Sequence, residues 1–436
     1  DRQKPMTTLE SQPQLPSQFS NSFPRWAWLI FLALLVAAPA STKLAGSAWF
    51  LIVCMGAWAV WRLPVMAPAS SGQEVLYSGV KYWLYFCLAA FGFKAVGMIY
   101  WSDPWGTRHF DFRILLIAFA LRVLVPRIRL SAGQVLLLLM ALTLASLSAI
   151  AVSYLHAQYD WPTPSNRINW AGGLAMLSCV LLPIAGSQTV NSRWRIFAVI
   201  GVLVYISAIL MSGARGAYLA FPWIVLCGLV VLRKNLCDGR SGPVSYRFII
   251  TIVIFVAAVP FLAPKVLEVP KERISIAVSE VRAVLSGVGA GRNVVDTSIG
   301  ARVYMWQRSL EKIHENPWLG YGRAQRIEFI KTWGAEANAH IVKDQTHLHS
   351  EYINGMVDHG VFGLLSTLTY MIGLVWLTWH LRKKYPGMAM STGGLAYIHF
   401  MMSFTDANSQ TNNYSVMISL SLASVFFLRL ARSRSD

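Results

Sequence analysis

The chain has 436 residues, of which 55% are hydrophobic and only 13% charged, and its mean hydropathy is positive. A water-soluble fold has too little interior to hide that much apolar surface, so composition excludes the soluble globular class. A net charge of +18 would suit a nucleic-acid binder only if the basic residues formed one patch, and their distribution along the chain rules that out.

Residues 1–24, rich in Gln, Ser and Pro, predict a flexible cytoplasmic tail. A bilayer core needs about 20 mostly apolar residues per helix. By that measure spans are predicted at 26–42, 47–66, 79–100, 113–126, 131–155, 169–190, 194–212, 216–233, 248–264, 360–380, 390–405 and 414–431. The expected fold is thus an all-α polytopic membrane protein with about twelve transmembrane helices. Residues 25–264 hold the first nine spans, 359–431 the last three, and 432–436 form a short cytoplasmic tail. Ala38-Pro39-Ala40 resembles a signal-peptidase site after the first span, and an uncleaved helix is the expectation.

Short cytoplasmic loops carry excess Lys and Arg. With both termini inside, Arg62, Arg127 and Arg129, Arg193 and Arg195, Arg233 and Lys234, and Arg382 to Lys384 fall in alternate loops, while the opposite loops hold few basic residues. The acids complement this, since eleven of the twenty Asp and Glu lie in residues 265–358. The basic excess therefore reads as an orientation signal and argues against a nucleic-acid partner. No disulfide framework is expected from five cysteines, four of them within apolar spans, and no Cys/His spacing resembles a zinc site.

Residues 265–358 mix charges of both signs and predict a large helical periplasmic loop that forms a domain of its own. Ile274, Val278, Val281 and Leu285 recur at helical spacing, which suits either an amphipathic helix on the membrane interface or ordinary packing. A second helix is expected from near Ser298 to about His314, with Tyr304, Trp306, Leu310 and Ile313 as buried positions, ended by Pro317, Gly320 and Gly322. Thr346-His347-Leu348-His349-Ser350 then leads toward Gly360-Val361-Phe362-Gly363.

His349 is the first candidate for a general base, because an imidazole titrates near neutral pH and can take a proton from a hydroxyl; His347 is its rival. A zinc site would need His347, His349 and His359 combined with Asp344, Glu351 or Asp358, none at a recognised spacing, so no metal is expected. Ser212-Gly213-Ala214-Arg215-Gly216 sits between two spans with almost no loop. A guanidinium at that depth marks a functional position or snorkels to headgroups. Arg302 opens the second loop helix; Arg167 and Arg323 are weaker candidates. Arginines beside a histidine on one face suggest a pyrophosphate held by bidentate donors next to a base, the chemistry of glycosyl transfer from a lipid-linked donor.

These residues resemble the O-antigen ligase and polymerase superfamily of bacterial envelope enzymes. The resemblance rests on His349-Ser350 followed by Gly360-x-x-Gly363, on Arg302-x-x-x-Trp306 followed by Pro317, Gly320 and Gly322, and on the short Arg215 turn, in that family's order across residues 212–363. It implies a C-type glycosyltransferase-like architecture and transfer of polysaccharide from undecaprenyl pyrophosphate to lipid A-core. It also implies no nucleotide, no cofactor and no metal requirement, with membrane lipids as further partners and no nucleic acid. His349 would then activate the acceptor hydroxyl, with inversion at the anomeric centre, while Arg215 and Arg302 bind the donor pyrophosphate. An O-antigen polymerase or a protein O-oligosaccharyltransferase shares these needs, and a lipid-linked oligosaccharide transporter is the rival from another class.

Overall fold

The computed structural model describes residues 23–68, 70–105, 109–187, 190–237, 264–285 and 292–430, and these are helical throughout, with no strand among them. Eight helices come first: α1 (Arg25–Ala37), α2 (Thr42–Arg62), α3 (Ser71–Tyr100), α4 (His109–Leu124), α5 (Ala132–Tyr159), α6 (Arg167–Ala185), α7 (Ser192–Met211) and α8 (Phe221–Cys237). Then follow α9 (Lys265–Leu285), α10 (Ser298–Glu315), α11 (Gly322–Glu336), α12 (Glu351–Leu381), α13 (Pro386–Thr405) and α14 (Asn412–Phe427). The span expected at 248–264 lies outside the described residues except its last position, as do the first tail except its last two positions and the whole tail at 432–436; every other expected span falls on a helix. Among the described residues six helices are long and apolar enough to cross a membrane, namely α2, α3, α5, α6, α7 and α12.

Helix starts follow local chemistry. Ser131 accepts a hydrogen bond from Gln134 N at 3.2 Å while its own N–H donates to Gln134 Oε1 at 2.9 Å, a capping box that opens α5. Ser41, Ser70 and Asn166 cap α2, α3 and α6 more simply, each side-chain oxygen accepting from one backbone N–H of the first turn. α6 is the axis of the bundle, buried along almost its whole length. A Cβ at Gly172 would meet Met402 and one at Gly173 would meet Met417 within 2.8 Å, so these two glycines let α13 and α14 close on it. Outside, Phe50, Trp61, Ile99, Val225, Ile372 and Trp379 are exposed, the apolar exterior that a lipid solvent permits.

Lys94 of α3, Asp111 of α4, Glu351 of α12 and His399 of α13 are buried together around a small cavity that Tyr370 also lines. Ionisable groups at such depth are costly and are kept by one another's charge. Lys94→Met is therefore expected to lower the thermal unfolding midpoint of the detergent-purified chain clearly more than Lys81→Met, a change at an exposed position of the same helix.

α10 and α11 pack at one end of this bundle around a second, smaller core of Ala301, Met305, Ile330, Trp333, Val342, Leu348 and Val357, and α9 lies against α7 and α10. α10 spans the residues expected of it, but the buried stripe is Ala301, Met305 and Ser309, and Leu310 is 60% exposed. The stripe is one of small residues and methionine because α10 lies close against the segment around Leu348 rather than offering large side chains to a deep core.

α12 is two helices joined at a break. His359 (φ −133°, ψ 17°) and Gly360 (φ 59°, ψ −143°) leave helical geometry, and the bend brings the backbones of Gly355 and Gly363 together. The turn after α10 fills the break: Tyr321 N donates to Val357 O at 2.8 Å and Val361 N to Pro317 O at 2.9 Å. Gly320 (φ 63°) and Gly360 both need the left-handed region, and a Cβ on either would strike the opposing backbone. The Pro317, Gly320 and Gly360 pattern of the sequence is thus one interlocked joint.

Candidate functional site

The histidine segment hangs from Leu348, whose side chain has no exposed surface and belongs to the smaller core. Leu348 N donates to Asn354 Oδ1 at 3.3 Å, and Leu348 O accepts from Trp306 Nε1 at 2.7 Å. With Leu348 fastened inward, its neighbours His347 and His349 turn together to the other side, their ring centroids 4.3 Å apart. His349 adopts φ 50°, a conformation rare for a residue with a Cβ and costing about 1–3 kcal/mol unless its surroundings enforce it. Upstream, Thr346 O accepts from Arg326 NH1, and Arg326 Nε meets Asp358 Oδ1 at 2.6 Å with both side chains fully buried.

Facing the two imidazoles is Asp406, which the sequence reading did not single out. It ends α13, is fully buried, and is held by Asn169 Nδ2 donating to Oδ2 at 2.8 Å and by Ala407 N donating to Oδ1 at 2.9 Å. His347 Nε2 lies 3.0 Å from Oδ1, and His349 Nδ1 lies 3.4 Å from the same oxygen without making a hydrogen bond. The other nitrogen of His349, Nε2, is 2.9 Å from Gln345 Oε1, so each ring nitrogen has an acceptor oxygen close by and either tautomer is available to the ring. Burial would push the Asp406 carboxyl up, but the two imidazole contacts outweigh it and hold it below the usual carboxylate range. Burial also lowers His349 beneath the ordinary imidazole value; the Asp406 contact opposes this, while His347 and Arg302 add to it. The result at neutral pH is an uncharged imidazole able to accept a proton, beside an ionised carboxylate able to stabilise it once it has done so.

The arginines approach from the other side. α7 ends in a turn at Gly213 (φ 65°), after which Arg215 opens a 3-10 helix, Arg215–Ala220. Arg215 NH1 pairs with Glu280 Oε2 of α9 at 3.4 Å, and that oxygen also accepts from Ile299 N at 3.3 Å in the first turn of α10. Arg215 therefore points into protein rather than only toward headgroups. Arg302, one turn into α10, is partly buried, and burial lowers its pKa, with Asp406, Arg215 and Glu280 as its electrostatic neighbours. It thus links the histidine pair to the Arg215 turn.

The two weaker candidates make other contacts. Arg167 is exposed and reaches His156 Nε2 at 3.4 Å. Arg323 donates its backbone N–H to both carboxylate oxygens of Asp103 at 3.3 Å. The same Asp103 takes His359 Nε2 at 2.9 Å, which removes His359 from any combination with His347 and His349. Among the described residues the histidines, cysteines and acids that cluster at metal-binding separations are His347, His349 and Asp406. Asp406, Asn169, Gln345, Glu280 and Arg326 are the contributors that pattern alone missed. A signal existed for the first: Asp406 opens Asp-Ala-Asn-Ser-Gln-Thr-Asn-Asn, a polar run with one acid wedged between two apolar helices.

Fold and site together describe a polytopic helical membrane protein that gathers two imidazoles, a buried carboxylate and two arginines at one end of a bundle. Residues 200–368 match the family model described as O-antigen ligase. An uncharacterized protein of Haemophilus influenzae (strain ATCC 51907 / DSM 11121 / KW20 / Rd) is 25% identical over 223 residues, 49% of this chain and 52% of its own length. The chain spans about half the length of that curated relative.

Proposed function

We propose that the chain transfers O-antigen polysaccharide from undecaprenyl pyrophosphate to the lipid A-core oligosaccharide at the periplasmic face of the inner membrane, with both termini cytoplasmic. The observation that carries this reading is the convergence of two imidazoles and a buried carboxylate with Arg302 and the Arg215 turn, all drawn from separate parts of the chain. In it, His349 holds its proton on Nδ1, toward Asp406, and its Nε2 takes the proton of the acceptor hydroxyl. That oxygen attacks the anomeric carbon as the bond to the pyrophosphate breaks, inverting the centre. Arg215 and Arg302 meet the charge that grows on the departing pyrophosphate, and Glu280 is the carboxylate with which the donor competes for Arg215.

Arg215→Ala is expected to lower transfer by about 10²–10³-fold, the usual loss when one donor to a developing anion is removed, and far more than Arg323→Ala. Lysine at 215 should restore little, because an ammonium does not reproduce the planar fork. The reading as a whole is tested by giving the purified protein lipid-linked donor with either core lipopolysaccharide or a protein acceptor. Product on core supports it; product only on protein replaces it with a protein glycosylation reading.

A further inference from the structure

His347, His349 and Asp406 form more than a proton site. Nε2 of His347 and Nδ1 of His349 stand 3.0 and 3.4 Å from Asp406 Oδ1, and the three ligand atoms lie within 4.8 Å of one another. Zinc bonds of about 2.0–2.2 Å at tetrahedral angles separate neighbouring ligands by roughly 3.3–3.6 Å. Two of the three edges are close to that spacing as they stand, and a small approach of one imidazole supplies the third.

The surroundings also suit a cation. Metal-bound imidazoles as a rule donate their remaining N–H to a carbonyl or carboxylate, and bound carboxylates are held by hydrogen bonds. Gln345 Oε1 offers that acceptor to His349 Nε2 at 2.9 Å, and Asn169 holds the other oxygen of Asp406 at 2.8 Å. In the alternative tautomer to the one used in transfer, with its proton on Nε2, His349 turns the Nδ1 lone pair on Asp406 Oδ1. Two buried acceptors facing each other at 3.4 Å repel unless a positive charge lies between them.

We infer that His347 Nε2, His349 Nδ1 and Asp406 Oδ1 bind a divalent cation of the zinc class, with a fourth position left to water, and that its occupancy stops transfer. Two nitrogens and one carboxylate favour zinc, copper or nickel over magnesium, which prefers six oxygens. Arg302, an electrostatic neighbour of Asp406, weakens the attraction, so the cation is an exchangeable inhibitor. The mechanism of inhibition follows from the ring: a cation on Nδ1 forces the proton onto Nε2, the nitrogen that must be free to act as base. This last step rests on the reading of His349 as base, whereas the binding site does not.

The test titrates the detergent-purified full chain with zinc chloride in competition with a chromophoric chelator, in the absence of donor. One zinc per chain is expected, unaffected by excess magnesium. Asp406→Asn and His347→Gln should abolish it, and Gln345→Met, outside the ligand set, should weaken it about 10–100-fold. Zinc should raise the melting temperature of the unsubstituted protein and not that of Asp406→Asn. Zinc binding no tighter in the unsubstituted protein than in these variants overturns the site. In the transfer assay, inhibition should follow occupancy and be reversed by chelator; full activity with zinc bound overturns the inhibition and the assignment of His349 as base, while leaving the cation site standing.

Discussion

His349→Ala is expected to lower the rate of polysaccharide transfer by about 10²–10⁴-fold, the share that a positioned general base commonly contributes, while donor binding is retained. Asp406→Asn should approach the same loss by another route. The amide keeps the shape and can still accept from Asn169, but it carries no charge to stabilise an imidazolium, so kcat should fall while KM for the donor changes little. Because His349 sits at φ 50°, alanine there also carries a backbone cost. His349→Asn is the better companion variant, since asparagine tolerates the left-handed region. Both proteins should elute as monodisperse species and bind donor; full activity in either would remove the residue from the reaction.

Much of this arrangement was legible in the sequence, and the missing parts share a physical cause. The spans could be read because apolar length is a local property, and the Arg215 turn because a guanidinium between two apolar runs is conspicuous. The His347 and His349 pair stood out for the same reason. What could not be read is which distant group each would meet. Asp406 is a single acid at the end of α13, and only packing of α13 against α6 sets it between Asn169 and the imidazoles. Glu280 is one of several acids on an amphipathic helix until the fold sets it against Arg215. His359, equally prominent in the sequence, is committed to Asp103. The misplacement of Leu310 has a related origin: periodicity finds the apolar face of α10, but close packing selects its small residues for the interior.

The second large effect concerns stability. Arg326→Met is expected to cost about 3–5 kcal/mol, the usual result of removing one partner from a buried ion pair and leaving the other uncompensated. Arg326 and Asp358 are both fully buried at 2.6 Å, and the same guanidinium holds Thr346 O directly before His347. The damage should therefore appear first around residues 345–350, as early protease cleavage there and as lost transfer, ahead of global unfolding. Arg326→Lys should rescue little. The double variant Arg326→Met with Asp358→Leu should regain much of the stability, because it removes the stranded charge. A single Arg326→Met protein as stable as the parent would show that the pair does not hold the histidine segment.

Asp406 belongs to the turn between the last two described helices, α13 and α14, and this has a consequence for biosynthesis. Chains emerge from the ribosome N-terminus first, so the Arg215 turn, then Arg302, then the histidines are all made before the carboxylate that completes the group. A nascent chain arrested after α12 has every other member of the site and no Asp406. On the proposed reading, competence for transfer comes only with insertion of α13 and α14, and a chain in which that pair fails to integrate is silent rather than misdirected.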